Sequence, residues 1–193
     1  METNEIITLV ISTIAIFIAV LSYFQAKKIN RRSLRIEKLE EILEITHIFK
    51  NNYHYFEDTF ELKKSLIRAN KGDFTDKIYQ IQVEDLIRIS EDMNLRGKLA
   101  RLYVLNNSYL PKSELKEKIG VLISCYSSLA HRTISKPFKE QDLIFNKYPK
   151  RWDMSEYITE IQNEIIEEMK LGYKKSISDI NNYENRFKER FNV

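Results

Sequence analysis

Two different hydrophobic patterns run along this chain. From Ile6 to Phe24 the sequence reads IITLVISTIAIFIAVLSYF, without charge, proline or glycine. At about 1.5 Å of rise per residue this stretch is roughly 28 Å long, close to the hydrocarbon thickness of a bilayer. A soluble helix of that length carries a polar face, whereas only Ser, Thr and a terminal Tyr interrupt this one. The pattern predicts a transmembrane helix over residues 6–26, an extracytoplasmic N-terminus over 1–5 and a cytoplasmic all-helical domain over 27–193.

Beyond residue 36 the pattern becomes periodic. Leu39, Ile42, Thr46, Phe49, Tyr53, Phe56 and Phe60 recur at spacings of three and four, the signature of one buried helical face. No breaker stands between Ile6 and Gly72, so the membrane helix is expected to continue to about Asn70, with Asn30 the place for a kink. Gly72 and Asp73 end it. A second helix follows from about Thr75 to Met93, with Ile78, Ile81, Leu86 and Ile89 inward. Asn94–Gly97 is a turn or weak point. A third helix carries Leu99, Leu102, Tyr103, Leu105 and Leu110 to a break over Asn106–Pro111.

Pro111 suits the first position of the next helix, to about Thr133, where its missing N–H is not needed. Leu115, Ile119, Leu122, Ile123, Tyr126 and Leu129 line its apolar side. Pro137 and Pro149 bracket an irregular stretch. Asp153, with Glu156 three residues on, reads as a capping box for a long final helix. That helix carries Ile158, Ile161, Ile165, Met169, Tyr173, Ile177, Ile180, Phe187 and Phe191, with a kink at Gly172. The expectation is an all-α chain: one N-terminal transmembrane helix continuing into a cytoplasmic helical bundle. The stripe on the first helix could also pair with its copy as a coiled coil. Four glycines and three prolines supply too few turns for a sheet protein of 193 residues.

Charge orients the span. Glu2 and Glu5 precede it, while Lys27, Lys28, Arg31, Arg32 and Arg35 follow it with no acid before Glu37. Basic flanks stay in the cytoplasm, which places the N-terminus outside and the rest inside; the same cations can contact lipid head groups. The acidic leader, the long apolar core and the basic block on its far side argue against a signal peptide. Of 31 basic and 28 acidic residues, setting aside those five and two leaves 26 of each. The remainder is thus balanced, which speaks against nucleic acid as a partner. The lone Cys125 fits a reducing compartment.

Within the span, Thr8, Ser12, Ala15, Ala19, Ser22 and Ala26 form a heptad-like stripe of small residues. In lipid, such a face lets helix backbones approach closely, so self-association is expected there. The strong catalytic and phosphate-loop motifs are absent, and no cofactor is expected. His47 and His54, with Asp58 and Glu61, could share a helix face as metal ligands, but ordinary polar positions explain them better. His131 and Arg132 suit a helix C-terminus, and Cys125 reads as a buried structural thiol. Lys147, Tyr148, Lys150, Arg151 and Trp152 form a basic-aromatic cluster, a candidate patch for a cytoplasmic partner or a pinned loop.

The functional expectation is a non-enzymatic, membrane-anchored homo-oligomer acting as a scaffold or pore-type effector. The layout fits a bacterial defence effector by analogy of architecture alone. The alternative is a membrane-tethered sensor or adaptor whose bundle binds a ligand or protein.

Overall fold

The computed structural model describes residues 3–68, 77–134, 147–171 and 183–191. Among them the chain is helical with no strand, in the order α1 (Thr3–Arg68), α2 (Lys77–Asp92), α3 (Leu95–Tyr109), α4 (Glu114–Ile134), α5 (Arg151–Leu171) and α6 (Tyr183–Phe191). Contacts divide the chain into two compact units, Met1–Lys38 and Leu39–Val193. α1 contributes to both, and its helical pattern passes Asn30 unbroken.

The second unit is a bundle with its own core. The expected stripe on α1 is buried throughout, from Leu39 to Phe60. It meets Leu102 and Leu105 of α3, Ile119, Leu122, Tyr126 and Leu129 of α4, and Tyr157, Ile158, Ile161 and Ile165 of α5 in one continuous cluster. At the centre, Tyr126 stacks on Phe49 with ring centroids 4.5 Å apart and meets Phe56 edge-on at 5.3 Å. Such aromatic arrays add specific quadrupole geometry to the area they bury. Because the stripe is buried within its own chain, this part of α1 has no free seam for a coiled coil.

Several element boundaries differ from expectation for local reasons. α2 buries Tyr79, Val83 and Leu86, while Ile78 and Ile81 are 63% and 59% exposed. In a short helix with apolar residues on adjacent faces, packing chooses the face. α2 ends at Asp92, and α3 is capped by Asn94, which adopts a left-handed φ of 48° and accepts the Gly97 N–H on its side chain at 3.3 Å. A Cβ at Gly97 would come within 2.6 Å of that accepting oxygen, so glycine permits the cap. α3 runs on through Asn106 to Tyr109.

α4 starts at Glu114, not beside Pro111. Ser113 is the cap, its hydroxyl accepting the Lys116 N–H at 3.3 Å. α5 starts at Arg151, which puts Asp153 inside the first turn instead of at the cap. The expected breaks at Gly72, Asp73 and Pro137, the start at Thr75, and Gly172, Tyr173, Ile177 and Ile180 lie outside the described residues. Phe187 is buried and Phe191 partly so, on α6.

Candidate functional site

The first unit is dominated by apolar side chains facing outward. Every described side chain from Ile11 to Leu34 is exposed, including Ile16 at 65% and Phe17 at 63%. The helix is long and apolar enough to cross a membrane, and its apolar window has no burial inside the chain. Water disfavours such a surface at about 25 cal/mol per Å². Ser12, Ala15, Ala19, Ser22 and Ala26 lie on this exposed surface; Thr8 is helical, and its side chain lies outside the description. Stepping about 100° per residue, the stripe occupies an arc of roughly 80°.

The cations after the span share a different face. Lys27, Arg31 and Arg35 form one row at four-residue spacing, and Lys28 and Arg32 an adjacent one. Together they cover about 140° of the helix circumference, opposite the small-residue stripe. Lys27, Lys28, Arg31 and Arg32 are exposed, and Arg35 is half-buried. The Lys27 ammonium sits 6.0 Å from the Tyr23 ring centroid.

In the second unit, the basic-aromatic cluster is divided. Tyr148 is buried, its hydroxyl 2.6 Å from that of Ser128 and its ring 5.0 Å from Phe60 and 5.5 Å from the Arg132 guanidinium. Burial pushes its phenol pKa up, partly opposed by the Ser128 hydrogen bond and Arg132. Tyr53 donates to the Pro149 carbonyl at 2.7 Å. Lys150 pairs with Glu57 at 3.1 Å, a hydrogen bond that raises its pKa. This segment is therefore pinned to α1 and α4. Lys147, Arg151 and Trp152 remain outward, with the Arg151 guanidinium 5.1 Å from the ring of a 73% exposed Trp152.

The remaining candidates have ordinary settings. His47 lies 3.0 Å from the Asn51 amide, and the His54 ring lies tilted against Tyr55 with centroids 3.8 Å apart. No cluster of three potential metal ligands occurs among the described residues. Cys125 is fully buried, and burial pushes its thiol pKa far up. The hydrophobic periodicity gave no hint of one further feature, a half-open cleft of about 370 Å³ between α1 and α2. Asp58, Asp85 and Arg88 line it, with Arg88 bonded to Asp85 at 2.8 Å. Beside them the Gln82 Oε1 has no hydrogen-bond partner.

No family model matches this chain, and no curated protein or solved structure is significantly similar to it.

Proposed function

We propose that the chain is a membrane protein whose N-terminal helix crosses the bilayer once and self-associates there, presenting the bundle to the cytoplasm. One observation carries this reading: the apolar surface of Ile11–Phe24 is wholly exposed, while the bundle buries its own apolar stripe. Lipid is the solvent that suits the first surface. The basic flank favours the N-terminus outside. With the α1 stripe buried in its own chain, the small-residue face of the span is the better-suited surface for contact between copies. The output is a scaffold or, with enough copies in a ring, a pore.

The test is the mass of the full-length protein in nanodiscs beside a chain beginning at Lys38. A discrete oligomer that falls to monomer without the span supports the reading, and Ala15→Leu with Ala19→Leu should disperse it. Monomers in both cases overturn self-association.

The α1/α2 cleft favours a second reading, a tethered sensor whose ligand sits beside Asp58 and Asp85. Replacing the span with an unrelated one separates the two. Function that survives the replacement and is lost in Asp58→Asn with Asp85→Asn favours the sensor.

A further inference from the structure

We infer that Lys27, Lys28, Arg31, Arg32 and Arg35 form a one-sided recognition face for anionic phospholipid head groups. This deepens the membrane reading above and rests on it. The evidence is how charge is partitioned around α1. From Lys27 to Arg35, all five cations fall within one arc of about 140°, and Ile29, Asn30, Ser33 and Leu34 fill the complementary arc. Ile29 is 66% and Leu34 47% exposed. Orientation by the positive-inside effect depends on the number of nearby cations and needs no shared face. Like charges four residues apart also repel along the helix, so the exposed pairs Lys27–Arg31 and Lys28–Arg32 suit a multivalent anionic counterpart.

Position identifies that counterpart. Lys27 follows Phe24 by three residues, and Arg35 by eleven, so the face spans roughly 5–17 Å along the axis from the end of the apolar stretch. That interval overlaps the head-group layer of a bilayer and the reach of its surface potential. No acid occurs between Gln25 and Ile36. Three of the five cations are arginines, whose planar forks match phosphate oxygens in pairs. A lipid phosphate is already at the depth of Lys27 and Lys28, with the other cations within reach of the surface potential, whereas a nucleic acid would have to displace it.

The experiment uses the full-length protein in phosphatidylcholine vesicles containing a minority of phosphatidylglycerol. Lipid selectivity at the protein surface is read with spin-labelled lipids. The wild-type chain should prefer phosphatidylglycerol by about fivefold, weakening with added salt. The rearranged chain Lys28→Asn, Asn30→Lys, Arg32→Ser, Ser33→Arg keeps the same composition at nearly the same depth but spreads the cations over an arc of about 200°. Its preference should fall toward unity. Equal selectivity in the two chains overturns the one-sided face, as does loss of selectivity to added single-stranded RNA. Retention of both chains on pure phosphatidylcholine vesicles through an alkaline wash tests insertion separately. Release of both would overturn the membrane reading itself.

Discussion

Glu57 on α1 accepts the backbone N–H of Arg151 at 2.9 Å, capping the first turn of α5 from 94 residues away. The same buried carboxylate pairs with Lys150 at 3.1 Å. A helix N-terminus leaves backbone donors unsatisfied and carries positive dipole character, so a carboxylate suits it on both counts. Here the cap comes from tertiary structure.

Glu57→Ala should therefore destabilise the protein by about 1–3 kcal/mol, since it removes both the cap and the ion pair. Glu57→Gln keeps an acceptor and should lose less. Urea unfolding followed by circular dichroism, with the full chain in detergent, ranks the two. An Ala variant as stable as wild type would show that water replaces the cap without cost.

Tyr126 separates packing from hydrogen bonding. Its ring touches Phe49, Tyr53 and Phe56, whereas its hydroxyl reaches the Phe49 carbonyl only at 3.3 Å. Tyr126→Phe should cost under about 1 kcal/mol. Tyr126→Ala should cost about 3–5 kcal/mol by opening a cavity among the rings. Thermal unfolding of both variants checks the order.

The hold of α6 on α5 should depend on pH. Arg190 makes two hydrogen bonds to Glu160, both 2.9 Å, and Phe187 meets Tyr157 edge-on at 5.0 Å. The Arg190 hydrogen bond lowers the Glu160 pKa below its ordinary 4.5. A carboxylate with a lowered folded pKa adds stability above its unfolded pKa, and that stability is lost as pH falls through the folded value. The gap between wild type and Glu160→Gln should be full at neutral pH and close as pH falls below about 4.5. Solvent at this partly exposed pair keeps the gap small. A gap that persists unchanged in acid would remove the pair from the account.

Cys125 reports on α4. Fully buried and with its thiol pKa raised, it should resist iodoacetamide at neutral pH until the bundle opens. Labelling rates measured across a urea series should track global unfolding. Fast labelling without denaturant would reveal local opening at α4.

Much of this fold was legible because long periodic stretches leave few alternatives. The α1 stripe from Leu39 to Phe60 and the α4 face from Leu115 to Leu129 are buried where their spacing places them, apart from the half-buried Ile123. Short elements were less legible. In α2 the positions of Ile78 and Ile81 looked as inward as that of Leu86, and only contacts with neighbours favoured Tyr79 and Val83. Pro111 and Asp153 carry the chemistry of helix starts, yet Ser113 and Glu57 serve the two ends. The basic-aromatic cluster showed the same limit, since residue types alone cannot separate an inward Tyr148 from an outward Trp152.

By itself, the sequence determined the all-α class, the uninterrupted apolar helix and the uneven charge flanking it. Each follows from local composition and period, which act over a few turns of chain. The tertiary structure decided that the α1 stripe is buried within its own bundle, that a distant carboxylate caps α5, and that a cleft opens between α1 and α2. Those features depend on residues about 25 to 100 positions apart being brought within a few ångströms, and nothing in the spacing along one helix encodes that approach.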